Sequence, residues 1–325
     1  MIWLEFLFCA ALLTYFAYNL CKEGAIVAEK AHIAEGVIGM FFLAVATSFP
    51  EIATGATAVF SLGRIGLGYG DLMGSVMVNL MILLALDYYQ GRGRILLRVS
   101  QLNRLAGSFA LISVSVVLAA AILRSSGIPV PAFKRIGIES VLIPCIYFLY
   151  LGIIRGKGYQ KREGIYHPGG ESFWGIWARF ALFLVIVMVL GMWMARIGDK
   201  IVLVTGLSQT FTGTLLLGFA TSLPEIIVCF AALKAGSIDM AVGNILGSNL
   251  FDICIVPFLD VLTKKPILGM LTAGSLTATG LALALSAITV LGLSLKRDTM
   301  RRLSWDTPLI FAIGLTGFVL LYFVR

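Results

Sequence analysis

The sequence predicts an all-α membrane protein of ten transmembrane helices, built as two inverted five-helix repeats with broken helices meeting at mid-membrane. Three observations predict it. Hydrophobic residues make up 59% of the 325-residue chain and charged residues 13%, with a mean hydropathy of +0.96, more apolar surface than a soluble core can bury. Two segments 174 positions apart read almost alike, Ala-Thr-Ser-Phe-Pro-Glu-Ile from Ala46 to Ile52 and Ala-Thr-Ser-Leu-Pro-Glu-Ile from Ala220 to Ile226. Finally, each half holds five apolar runs, and an odd number makes the second half enter the membrane with opposite orientation.

The runs lie at 2–20, 33–62, 66–88, 104–123, 136–153, 174–195, 202–233, 238–261, 268–294 and 305–324. Most reach the roughly 20 residues needed to cross the hydrocarbon. The first has no basic flank and no small-residue cleavage site, so it reads as a span rather than a removed leader. The second and seventh are longer, and Pro50 and Pro224 interrupt them, which predicts kinked helices. The most polar stretch, Arg155 to Glu171, separates runs five and six. The expected organisation is therefore a first repeat over 1–153 (duplicated block 36–87), a basic linker over 154–172 and a second repeat over 173–325 (duplicated block 210–260).

The net charge of +8 does not indicate a nucleic-acid partner, because the basic residues cluster in short loops beside apolar runs, where they meet anionic lipid. With the amino terminus outside, the inner loops hold fifteen Lys and Arg against nine on the outer side. The bias places both termini outside a cell membrane. The five cysteines show no metal or disulfide spacing, and His32 and His167 lie near loops.

The broken runs carry the chemistry. Pro50 has no N–H, so the Ala46 carbonyl loses its helical partner, and the Thr47 carbonyl can open as well. In lipid such groups need another partner, and a cation can serve. Thr47, Ser48 and Glu51 share a helix face at spacings of four and three, and Thr221, Ser222 and Glu225 repeat the pattern. The following runs hold a second duplicated element, Gly70-Asp71-Leu72-Met73-Gly74-Ser75-Val76-Met77-Val78-Asn79 against Gly243-Asn244-Ile245-Leu246-Gly247-Ser248-Asn249-Leu250-Phe251-Asp252. Glycines four apart allow helices to approach closely, which would bring Asn79 and Asp252 against the breaks. The donor set is all oxygen, from Glu51, Glu225, Asp252, Asn79, Ser48, Ser75, Ser222, Ser248 and the carbonyls near Thr47 and Thr221. Such a set suits hard cations, calcium above all, rather than zinc or copper. Each intramembrane acid costs about 2.5–3.5 kcal/mol, and no Lys or Arg lies in the core of these four runs. Cations or protons from solution must neutralise them. Asp87 and Asp260, also equivalent between the halves, read as capping carboxylates at helix ends, and Glu139 as an interfacial charge.

These residues resemble the two alpha repeats of the calcium/cation antiporter superfamily, in its sodium/calcium exchanger branch of prokaryotic ten-helix type. The resemblance spans the whole chain and is sharpest at the Thr-Ser-x-Pro-Glu and Gly-Asn-x-x-Gly-Ser-Asn blocks. It implies a non-enzymatic antiporter that exports Ca2+ in exchange for Na+ by alternating access, with both ions as transported substrates, no organic cofactor, the lipid bilayer as surroundings and a monomer as the functional unit. It implies Glu51 and Glu225 as shared calcium ligands with the Thr47 and Thr221 carbonyls, Asn79 and Asp252 completing the centre, and two flanking sodium sites, one lined by Ser48, Ser75 and Ala44, the other by Ser222, Ser248 and Gly218. Two departures stand out. Asp71 replaces the usual Asn, adding a charge near the site mouth, and Val76 replaces another Asn. The rivals are a Ca2+/H+ antiporter on the same fold, a cation channel, and an intramembrane aspartyl protease suggested by Gly68-Tyr69-Gly70-Asp71 but lacking its Pro-Ala-Leu element.

Overall fold

The computed structural model describes residues 1–30, 43–91, 95–133, 136–155, 172–263, 266–295 and 305–324. His32, His167, residues 36–42 of the first duplicated block, residues 156–171 of the linker and several loop Lys and Arg lie outside the described residues. Ten membrane segments appear among the described residues. They are α1 (Ile2–Lys30), the broken α2 (43–61), α3 (Ile65–Gln90), α4 (Gln101–Ser125), α5 (Glu139–Arg155), α6 (Phe173–Thr205), the broken α7 (Gln209–Lys234), α8 (Ile238–Thr263), α9 (Ala273–Ser294) and α10 (Asp306–Phe323). Eight of these helices are long and apolar enough to span, with a shorter apolar one at Glu139–Ile154. A two-residue hairpin, Ala132–Phe133 with Ile136–Gly137, lies between α4 and α5.

Helices α1 and α6 run past the ends of their apolar runs. At α1 the polar Lys22 and Glu23 are passed without a break, because Glu23 is held by a two-pronged pair to Arg179 of α6 at 2.8 and 3.1 Å. At the other end of the same helix pair, Glu5 accepts from Lys200 and from the Trp193 indole, both at 3.0 Å. Helix α6 continues to Gly206, whose φ of 71° ends it in the left-handed conformation that glycine adopts freely. As a result α7 begins at Gln209, later than its apolar run. Apolar residues of α1 and α6, among them Cys9, Leu13, Val187 and Met194, form a second core together with Ala58, Leu67, Leu217 and Ala220 of α2, α3 and α7. The remaining helices share the main core. Within it α3 and α8 are the most enclosed spans, 83% and 72% buried. They place their residues at the centre of the bundle, with the broken helices against them.

The duplication is visible at the helix ends. Asp87, near the end of α3, accepts from Ile95 N at 2.9 Å and from the Thr307 hydroxyl at 3.0 Å. Its equivalent Asp260, near the end of α8, accepts from Ile267 N at 2.8 Å and from the Ser140 hydroxyl. Each carboxylate ties down the N–H of the short 3₁₀ turn that follows its helix. Both are caps, and Glu139 forms a two-pronged pair with Arg124 at 2.9 and 3.1 Å.

Candidate ion-binding site

Both breaks fall where the prolines dictate. Ser48 separates Leu43–Thr47 from Phe49–Ala56, and Ser222 separates Gly218–Thr221 from Leu223–Lys234. A proline stands in the first turn after each break, where its missing N–H is tolerated. Helical hydrogen bonding resumes across the gap, with Ser48 N donating to Ala44 O at 3.1 Å and Ser222 N to Gly218 O at 3.2 Å. Each half also contains a π turn, at Thr57–Ser61 after the first break and at Thr212–Leu217 before the second.

The glycine spacing in α3 does what small residues do. A Cβ on Gly70 would lie 2.8 Å from the Thr210 carbonyl oxygen, and one on Gly74 would strike the Thr214 backbone. On the facing segment, a Cβ on Gly218 would lie 2.7 Å from the Gly74 carbonyl carbon. Backbone meets backbone between α3 and α7, so their short side chains reach one another.

All twelve expected residues are buried. A chain of hydrogen bonds links them across the repeats. Ser75 Oγ donates to Glu51 Oε1 at 3.2 Å and lies 3.2 Å from Thr221 Oγ1. Thr47 Oγ1 lies 3.0 Å from Ser248 Oγ and donates to Ala44 O at 3.1 Å. Each serine is thus joined to the threonine of the opposite repeat, and Gly218 packs on Ser75. Ser48 lies beside Asp252 and Thr47 beside Glu225. Glu51 is within electrostatic reach of Glu225, Asp252 and Asp71.

Two residues outside the expected set belong to this network. Asp71 is fully buried, not at a mouth, and its Oδ1 accepts from Thr221 Oγ1 at 3.0 Å. Its position one helical turn before Ser75 was the available signal. Asn249 accepts from Asn79 Nδ2 at 3.0 Å and donates to the Val76 carbonyl at 3.3 Å. Positions 76 and 249 are equivalent under the duplication, and an element touches its own equivalent only beside the axis relating the halves. Asn249 therefore lies near the pseudo-twofold axis and turns Asn79 Oδ1 away from itself.

The electrostatics are one-sided. Glu51 Oε2, Asp71 Oδ2, both oxygens of Glu225 and both of Asp252 are buried with no hydrogen-bond partner, as are Ser48 Oγ, Ser222 Oγ and Asn79 Oδ1. Ion pairs among the described residues join Arg64, Arg124, Arg179 and Lys200 to other carboxylates, 2.6–3.0 Å apart. Among the described residues no three Asp, Glu, His or Cys side chains form a ready-made metal cluster. Hydroxyls stand between the carboxylates, and the set is a mixed oxygen cage. Unpaired buried acceptors are strongly unfavourable, and an oxygen-only set of this kind fits hard cations.

Comparison with known proteins identifies the fold and the family. The chain is 27% identical over 232 residues to an uncharacterised membrane protein of Methanocaldococcus jannaschii, covering 70% of each chain, and 26% identical over 262 residues to the inner membrane protein YrbG of Escherichia coli, covering 75% of this chain and 74% of that one. Among solved structures, the sodium-calcium exchanger NCX_Mj soaked with sodium and strontium matches with a TM-score of 0.61 at 21% identity over 98% of this chain and 99% of that one. The H+/Ca2+ exchanger CAX matches with a TM-score of 0.65 at 11% identity over 98% and 88%. These two share the fold. The family model described as sodium/calcium exchanger protein matches residues 1–155 and 175–324. The chain therefore belongs to the sodium/calcium exchanger family, multi-pass membrane antiporters of calcium and a second cation, and is a transporter, not an enzyme.

Proposed function

We propose that this protein exports Ca2+ from the cell in exchange for Na+, the two ions competing for one buried oxygen site. The observation that carries the reading is the set of unpartnered carboxylate oxygens of Glu51, Glu225 and Asp252, with no basic side chain among the described residues paired to them. In this reading Glu51 and Glu225 bind calcium together with main-chain oxygens at Thr47 and Thr221. Asn79 and Asp252 complete the centre. Ser48, Ser75 and Ala44 line one flanking sodium position, and Ser222, Ser248 and Gly218 line the other. The chain divides into repeats at 1–153 and 173–325 joined by a cytoplasmic linker at 154–172, with both termini outside, and works as a monomer. Alternating access comes from movement of the peripheral α1–α6 pair against the remaining helices. A sodium-to-calcium ratio above electroneutrality moves net charge, so the exchange responds to voltage.

The test is calcium flux into proteoliposomes under separately imposed sodium and pH gradients. Sodium is expected to drive it, with flux abolished in Glu51→Gln and Glu225→Gln. Flux in those variants at the wild-type rate overturns the site. The second reading is Ca2+/H+ exchange, favoured by the likeness to the H+/Ca2+ exchanger. Flux that follows pH and ignores sodium establishes it instead.

A further inference from the structure

Asp71 is a carboxylate that the residue set above does not use. It sits on α3 one turn before Ser75, on the same helix face, and is fully buried. Its Oδ1 takes a hydrogen bond from Thr221 Oγ1 at 3.0 Å, while its Oδ2 has no partner. A simple structural role would be to hold Thr221 in place, and an asparagine would do that equally well.

The hydrogen count argues for more. Thr221 Oγ1 also faces the Leu217 carbonyl at 3.0 Å and Ser75 Oγ at 3.2 Å, and Ser75 Oγ faces Glu51 Oε1 at 3.2 Å. Each hydroxyl carries a single hydrogen. Two hydrogens therefore serve three acceptors, namely Leu217 O, Asp71 Oδ1 and Glu51 Oε1. Asp71 Oδ2 and Glu51 Oε2 remain entirely unserved. The deficit is of positive charge, at a place surrounded by oxygen.

The second repeat has no counterpart. Asn244, equivalent to Asp71, spends its amide on Cys229 Sγ at 3.6 Å, within its own half. Asp71 instead reaches across to α7 of the other half. The charge is added to one flank only.

We propose that Asp71 is a direct ligand of a small hard cation, sodium or calcium, held on the flank formed by Asp71 Oδ2, Glu51, Ser75 and Thr221. The inference rests on the exchanger reading and gives this flank of the site a second carboxylate beside Glu51. Asp71 becomes a specificity-determining residue that biases which ion occupies the flank.

The experiment measures radioactive calcium binding to the purified full chain in detergent, with sodium as competitor, for wild type, Asp71→Asn and Glu51→Gln. Asn keeps the volume and the acceptor for Thr221, so only the charge and the ligand are removed, and size-exclusion profile and melting temperature report that the variant is folded. Asp71→Asn is expected to weaken calcium binding, sodium competition or both by at least about tenfold, the lower end of what losing even an outer-shell partner of a metal costs. Weakened calcium binding assigns the flank to calcium, and weakened sodium competition alone assigns it to sodium. Wild-type affinity for both ions in folded Asp71→Asn overturns the inference, and leaves the exchanger reading intact if Glu51→Gln has lost binding. Proteoliposome flux that ignores sodium in the wild type overturns sodium coupling, while the calcium-binding arm still decides Asp71.

Discussion

Substituting Gly218 by alanine tests whether backbone contact between α3 and α7 sets the site geometry. Gly218 has helical torsions, φ −58° and ψ −34°, so its backbone does not require glycine. Space does. The added Cβ would lie 2.7 Å from the Gly74 carbonyl carbon and 2.8 Å from Ser75 N, whereas ordinary contact begins at 3.4 Å. The obstructing atoms are backbone and cannot rotate away, so the two helices must part by about 0.7 Å, the difference between 3.4 and 2.7 Å. Such a shift along the line between Ser75 Oγ and Thr221 Oγ1 lengthens their 3.2 Å contact to about 3.9 Å, beyond hydrogen bonding. Binding constellations tolerate roughly 0.5 Å of misplacement. Overpacking of this kind costs about 1–3 kcal/mol.

Gly280, mid-helix in α9, is the control, because a Cβ added there would meet nothing within 4 Å. Both substitutions gain the same helix propensity, up to about 1 kcal/mol. That gain cancels in the comparison, and the overpacking remains. Thermal melting in detergent with and without calcium, together with vesicle flux, is the assay. Gly218→Ala is expected to be about 1–3 kcal/mol less stable than Gly280→Ala, with calcium stabilisation reduced, while Gly280→Ala transports normally. If the two variants melt together and both carry calcium at the wild-type rate, the close backbone approach does not shape the site.

Three other expectations follow from the packing. Asp87→Ala strands Ile95 N and the Thr307 hydroxyl and is expected to lower stability by about 1–3 kcal/mol; Asp87→Asn, which keeps an acceptor for Ile95 N, should lose less in the same melting assay. Arg124→Ala leaves Glu139, only 1% exposed, buried and unpaired, a loss approaching the roughly 3–5 kcal/mol of broken buried pairs, and replacing both residues by leucine should recover most of it. Glu5→Gln breaks a pair whose lysine side chain is 54% exposed, so its melting temperature should stay close to that of the wild type.

The spans, the duplication and the acids at the breaks are legible in the sequence, because hydrophobic runs, repeats and prolines are properties of neighbouring residues. It also marked Asp87 and Asp260 as caps, since their equivalence and positions near helix ends are visible in one dimension. Helix ends were less legible. Helices α1 and α6 extend beyond their apolar runs because Glu23 with Arg179 and Glu5 with Lys200 satisfy charges that look like stop signals in isolation. Tertiary structure alone decided which oxygens meet. Ser75 finds Thr221 and Thr47 finds Ser248 across gaps of 146 and 201 residues, and Asp71 joins them from a position that reads in the sequence as near the site mouth. These meetings depend on how closely two backbones can pack. Glycines at 70, 74 and 218 permit that closeness, but only the folded bundle shows which segment fills the space they leave.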